Sequence, residues 1–396
     1  MSLIDLIPLW ASLCAAILGV VAIYLLMKRG VIRTAIDPSA PILFQLFFTL
    51  FILAFTGMVQ LSDAIGMSLF VIILVMFPPR EGCGKQFFTQ ADWFSFSQFF
   101  CLFLVVMNLI LISQKGLLFM SGDIETARLE FFEGWGAFKR MNEAGQGILI
   151  ITAALMWERQ RKKTAVLFTF FACCAALTLG SRSALLACLL AYGAYLHFKK
   201  RRPSSGLLII AIAPLVFVTV GIFYLMYGNA FLASFGYRLL AECDGPVYFF
   251  HDKMQTITSV PLGYPFDIFV TALRLRAEAA YLPLGQFILQ QHFRFDTIQG
   301  PNPQLFVEAH ALFHAFGIFW YVICGAAFAF IRRATLNPYT FYLAALFVGP
   351  LLADSQYAFS QVFTIILIFV LLGIFLTGRW LLFVASNPEY RLEAGT

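Results

Sequence analysis

"TAVLFTFFACCAALTLGSRSALLACLLAYGAYLHF", residues 164–198, is the stretch whose reading decides the fold. Two apolar runs meet at the short polar step Ser181-Arg182-Ser183. "RQRKK" (159–163) precedes them and "KKRR" (199–202) follows. Each run approaches the roughly 20 residues a helix needs to cross hydrocarbon. Both are continuous rather than alternating, which argues against a β-barrel. The pair reads as two helices that leave and re-enter a membrane, with both basic ends on one side.

The rest of the chain repeats this pattern. Of its 396 residues, 61% are hydrophobic and 12% are charged. A typical soluble domain carries about 25% charge, so a water-soluble fold is excluded. Eleven spans are expected, at 6–27, 41–58, 65–79, 93–112, 144–157, 164–180, 183–198, 206–227, 311–331, 338–353 and 355–377. The sequence thus predicts an all-α polytopic integral membrane protein, with a single transmembrane helical domain over 1–396. The run at 6–27 is followed by Lys28 and Arg29 rather than a small-residue cleavage site, and reads as a span. Of the eight cysteines, Cys83 and Cys243 fall in loops of opposite sidedness, and no CxxC pair occurs, so no disulfide framework or zinc ribbon is indicated.

Orientation follows from charge. With the amino terminus outside, the carboxyl terminus is inside. The inner segments then hold 17 Lys/Arg against six acids, and the outer segments hold ten against fifteen. This is the positive-inside asymmetry. The net charge of +6 therefore reflects topology and does not point to nucleic acid. Two outer segments are long, 113–143 and 228–310, and long loops usually carry function. Within the second, "FDIFVTALRLRAEAAYLPLGQFILQQHF" (266–293) reads as amphipathic helix along the interface. The inner loops are short and hold no phosphate-binding Gly-rich motif, which places any chemistry on the outer face.

Arg182 lies at that outer face, where arginine is scarce. Ser181 or Ser183 can cap the following helix. The open amides of a first helical turn beside a guanidinium suit phosphate oxygens. Three other outer stretches fall in order along the chain: "RLEFFEGWGAFKRMNEAGQGILI" (128–150), "FGYRLLAECDGPVYFFHDKMQTITSVPLGYPFD" (235–267) and "GPNPQLFVEAHALFHAFGIFW" (300–320).

Together these stretches resemble the bacterial O-antigen polymerase and ligase superfamily, over about 128–330. Arg128, Gly136 and Asn142 match its arginine, glycine and asparagine pattern. Arg238 matches an arginine of its large loop, before a Pro-Leu-Gly-Tyr-like turn at Pro261–Tyr264. The resemblance implies an enzyme of the bacterial inner membrane that polymerises undecaprenyl-diphosphate-linked oligosaccharide repeat units into a surface or exopolysaccharide chain. It implies no cofactor, and partners that are the lipid-linked oligosaccharide and membrane lipid. A separate chain-length regulator is a partner the sequence leaves open. Ligases of the superfamily show a His-Asn pair where this chain reads Pro301-Asn302-Pro303-Gln304, which favours polymerase over ligase. A lipid-linked-sugar transporter is the alternative from another class, although the spans carry almost none of the mid-membrane charges that transporters use.

The chemistry names candidate residues. Charge builds on a departing diphosphate, and fixed cations lower that barrier. Arg182, Arg238 and Arg128 are the candidates, with Asn142, Ser181 and Arg276 as further substrate contacts. The acceptor hydroxyl needs a base, for which Glu308 and His310 are best placed, with Asp244 and His251 behind them. No metal is expected. His310 and His314 are spaced to share a helix face, but a third ligand is not evident nearby, and His314 is expected to pack inside the bundle.

Overall fold

The computed structural model describes residues 6–32, 37, 39–78, 88–116, 131, 135–179, 183–199, 243–273, 275, 278–294, 300–334 and 337–386. Among the described residues there are fourteen α-helices, three 3-10 turns and no strand. The described residues are all-helical, as expected. In chain order the helices are α1 (Leu9–Lys28), α2 (Ser39–Phe55), α3 (Leu61–Met76), α4 (Gln90–Lys115), α5 (Gly136–Glu158), α6 (Lys162–Leu179) and α7 (Ser183–Lys199). They continue with α8 (Asp244–His251), α9 (Asp267–Ala272), α10 (Leu284–Phe293), α11 (Gln304–Phe313), α12 (Ile318–Ala334), α13 (Pro338–Ala353) and α14 (Ser355–Ser386).

Three of the described helices are long and apolar enough to cross a membrane: α1, α4 and α14 as far as Phe383. No more than 33% of the apolar window in each is buried. Side chains such as Ile17, Leu109 and Ile374 stand more than half exposed. Helices that are apolar all round and still face outward fit hydrocarbon rather than water.

The expected count of eleven spans is corrected. Helices α2, α3 and α13 have 17, 16 and 16 residues. At 1.5 Å per residue they reach about 24–26 Å, short of the roughly 30 Å hydrocarbon core. Helix α5 carries Lys139, Arg140 and Glu143 near its start and buries every residue from Ala144 to Met156, so it is an interior helix. The run expected at 311–331 breaks at His314, whose φ of 48° and ψ of −119° lie outside helical space. The expected span 206–227 lies outside the described residues.

The helix ends have local causes. Thr89 Oγ1 accepts the Asp92 N–H at 3.2 Å while Asp92 Oδ2 accepts the Thr89 N–H at 2.9 Å, a reciprocal cap that starts α4. Asn337 Oδ1 accepts the Thr340 N–H at 2.9 Å, and Pro338 occupies the first turn of α13, where a missing N–H costs nothing. The amphipathic stretch 266–293 is two short helices instead of one. Asp267 Oδ2 accepts the N–H groups of Ala280 and Tyr281 at 2.8 and 3.0 Å, and Tyr264 OH accepts that of Leu284 at 2.8 Å. These bonds replace helical ones and turn the chain back.

The chain divides into two compact units. One comprises Lys85–Cys188, Ser204–Val218 and Phe363–Thr396. In it α5 packs against α4 and α6. Gly145 presents a bare backbone to Leu104 and Phe100, which lets the axes approach. Trp93 meets Phe369, and Phe99 stacks on Phe375.

The other unit comprises Met1–Gly84, Leu189–Pro203 and Thr219–Val362. Here α1 packs on α2, α3 on α12, and α11 against α8, α12 and α13. It also holds a buried ionic cluster. Arg332 Nη2 donates to Asp37 Oδ2 at 2.8 Å and Nη1 to the Val31 carbonyl at 2.8 Å. His197 Nδ1 lies 3.6 Å from the same carboxylate and stacks on Phe341 with ring centroids 4.4 Å apart. Burial by itself would raise the Asp37 pKa, but Arg332 and His197 outweigh it and hold the carboxyl well below the usual range.

Candidate functional site

Helix α11 carries both expected bases, and its position depends on close backbone packing. A Cβ at Gly285, at the start of α10, would run into the carbonyl of Pro301, and one at Gly245, at the start of α8, into that of Asn302. The segment "GPNP" (300–303) is thus held between two helix starts that only glycine permits, and it feeds directly into α11. Every residue of α11 from Gln304 to Leu312 is buried. The Val260 N–H donates to the Ala311 carbonyl at 3.0 Å and ties the outer segment to its last turn.

His310 faces a carboxylate 247 positions away. Its Nε2 lies 3.0 Å from Asp63 Oδ1, and Tyr321 OH donates to that same oxygen at 2.8 Å. Asp63 sits in the first turn of α3, fully buried, and its other oxygen accepts the Gln60 N–H at 3.4 Å. A carboxylate only accepts, so in the neutral ring Nε2 carries the proton and Nδ1 presents a lone pair. Phe250 packs edge-on against the ring at 5.3 Å. Gly66 makes the arrangement possible, because a Cβ there would collide with the Tyr321 ring. The result is an oriented acid–histidine pair where the ends of α3, α11 and α12 meet. Of the His310 side chain, 8% is exposed.

Glu308 points elsewhere. Residues two apart on a helix are rotated by about 200°, and Glu308 meets a different set of partners. Trp320 Nε1 donates to Oε2 at 3.2 Å and the Ser355 N–H to Oε1 at 2.6 Å. The side chain is fully buried. Burial first, and then the negative charge of Asp354, push its carboxyl up to about 8, against the partial offset of the Ser355 N–H. Burial also raises Asp354. Glu308 therefore holds a proton at neutral pH, while His310 is oriented to accept one.

Asn142 is also fully buried. Its amide oxygen accepts from Asn108 Nδ2 at 3.2 Å, and its own Nδ2 reaches Asn108 Oδ1 at 3.3 Å and Thr178 Oγ1 at 3.1 Å. These are bonds between α4, α5 and α6, of the kind that holds apolar helices together. Arg128, Ser181, Arg182, Arg238 and Arg276 lie outside the described residues. The Asp244 carboxylate accepts the next N–H, that of Gly245, at 2.8 Å. His251 pairs with Asp252 at 2.6 Å. The expectation for His314 is corrected: it is exposed, its Nε2 lies 3.1 Å from Ser259 Oγ, and it stands beyond the end of α11, so it shares no helix face with His310.

Compared with known proteins, the chain matches no family model, no curated protein and no solved structure.

Sequence reasoning missed Asp63, Tyr321, Trp320, Ser355 and Asp354. For Asp63 there was a signal: an acid at the edge of an otherwise apolar run is costly unless paired. For the others the residue types carried none.

Proposed function

We propose that this chain is a membrane-embedded glycosyltransferase that joins undecaprenyl-diphosphate-linked oligosaccharide repeat units on the outer face of a bacterial inner membrane. The observation that carries the reading is the Asp63–His310 pair, 3.0 Å apart. It joins the first turn of α3 to the last turn of α11, segments 247 positions apart in the chain. The four sequence stretches that resemble the O-antigen polymerase superfamily support the same chemistry.

In this reading His310 Nδ1 takes the proton from an acceptor sugar hydroxyl. The freed oxygen attacks the anomeric carbon of the donor, and the carbon–oxygen bond to the diphosphate breaks with its electron pair on the lipid diphosphate. Asp63 holds the ring tautomer and stabilises the imidazolium that forms, the task a carboxylate performs behind a catalytic histidine. Arg182, Arg238 and Arg128 are the cations proposed to receive the departing charge. Glu308, buried and protonated, positions α11 against α12 and the start of α14.

The experiment supplies short lipid-linked repeat units to the purified protein in nanodiscs. A ladder of longer lipid-linked products is expected. His310→Ala should lower the rate by about 10²–10⁴-fold, the usual contribution of a general base, and Asp63→Asn should fall within the same range. Full activity in both variants refutes the assigned base. Wild-type protein that moves the lipid-linked sugar across a bilayer without lengthening it refutes the enzyme.

A further inference from the structure

Away from α11, the described residues bring together three donors of the kinds that transition metals take. His251 ends α8, Asp252 follows it, and His292 lies in the last turn of α10. His251 Nδ1 is 2.6 Å from Asp252 Oδ1, and His292 Nδ1 is 2.6 Å from Oδ2 of the same carboxylate. One donor atom from each residue lies within 4.8 Å of the others. The His292 side chain is 4% exposed and its ring stacks on Tyr248 with centroids 4.1 Å apart. Phe293 closes on it edge-to-face at 4.5 Å. One ligand ring is therefore fixed by packing, while His251 and Asp252, at 36% and 26% side-chain exposure, keep the site open to solvent.

We propose that His251, Asp252 and His292 bind one divalent ion of the zinc type, with a fourth position open to water or an external ligand. Two imidazoles and one carboxylate form a mixed nitrogen–oxygen set that suits zinc and its neighbours. The hard ions magnesium and calcium prefer oxygen throughout. Three protein ligands plus an open position is the usual arrangement of a reactive zinc site. Ligand atoms about 2.0–2.2 Å from a tetrahedral ion stand about 3.3 Å apart. The two 2.6 Å separations then need to widen by less than about 1 Å, and the two histidine nitrogens, within 4.8 Å of each other, to close by up to about 1.5 Å, movements open to the exposed His251 and Asp252 side chains. The ion would fasten the end of α8 to the end of α10, two helices that already pack together. Without an ion the same carboxylate bridges the two rings by hydrogen bonds alone, and the experiment separates these states. The inference is independent of the glycosyl-transfer reading.

The test uses the full chain in nanodiscs, stripped with a chelator and titrated with Zn²⁺ against a chromophoric competitor. One equivalent of tight binding is expected, and Co²⁺ in its place should give the intense visible bands of a four-coordinate ion. His251→Gln and Asp252→Asn, both at exposed side chains, should each weaken binding by more than about 100-fold, beyond the 10–100-fold effect of an outer-shell partner. His314→Gln, at an exposed histidine outside the cluster, should leave it unchanged. Absence of stoichiometric binding, or binding that survives both cluster variants, or loss in His314→Gln, overturns the proposal.

Discussion

Replacing Arg332 by methionine tests the energetic logic of the buried cluster. Its guanidinium donates to Asp37 and to the Val31 carbonyl, and it lies 5.5 and 6.0 Å from the ring centroids of Phe328 and Phe341. Methionine preserves much of the apolar contact and removes the charge. Asp37, fully buried, then keeps Ser39 and the more distant His197 as neighbours in the cluster. Breaking a buried pair in this way costs about 3–5 kcal/mol. Asp37→Asn should cost less, because Arg332 retains the Val31 carbonyl. The double variant removes both charges and should recover about 2–3 kcal/mol of the summed losses, at the upper end for coupled neighbours.

Equilibrium unfolding in mixed micelles, run as a double-mutant cycle, measures the coupling. High salt should not change it, because screening acts on exposed charges. Acid below about pH 4 should weaken it. The Asp37 pKa is lowered in the folded protein, so its contribution is fully present above the unfolded value of about 3.9 and fades only as pH falls below that. Additivity of the two single variants within about 0.5 kcal/mol, or an Arg332→Met loss below about 1 kcal/mol, refutes the reasoning.

Two further outcomes follow from the site. The Glu308 carboxyl is raised to about 8 from about 4.3 when unfolded. Its stabilising contribution is therefore complete below pH 4 and is lost as pH rises toward 8; thermal scans should show wild type falling over that window while Glu308→Gln stays flatter. Gly285→Ala should destabilise by about 3 kcal/mol, the upper range for overpacking, because the obstacle is the Pro301 carbonyl and backbone moves less easily than a side chain. Chemical unfolding checks it, and a loss under about 1 kcal/mol would mean that the 300–303 segment shifts freely.

What could be read ahead of the structure depended on how local its cause was. Helix α4 was legible to within three residues at each end because its apolar run, 93–112, makes up most of its length; the local Thr89–Asp92 cap adds the first turn. The apolar run 338–353 likewise matched α13, whose start the structure shows to be capped by Asn337. The break at His314 was not legible, since nothing in "HALFHAFG" (310–317) forces a turn until Val260 and Ser259 engage the end of α11. The stretch 266–293 has the composition of one helix, and it divides because Asp267 finds N–H groups thirteen and fourteen positions away.

Composition and hydropathy along the chain alone determined that it is helical and carries runs apolar enough to cross a membrane, because those properties sum over residues without reference to partners. Only the tertiary structure decided that His310 faces Asp63, that Glu308 is sealed among Trp320, Ser355 and Asp354, and that Arg332 neutralises Asp37. A buried polar group must find a partner wherever the packed helices bring one, and sequence separation says nothing about which helices will meet.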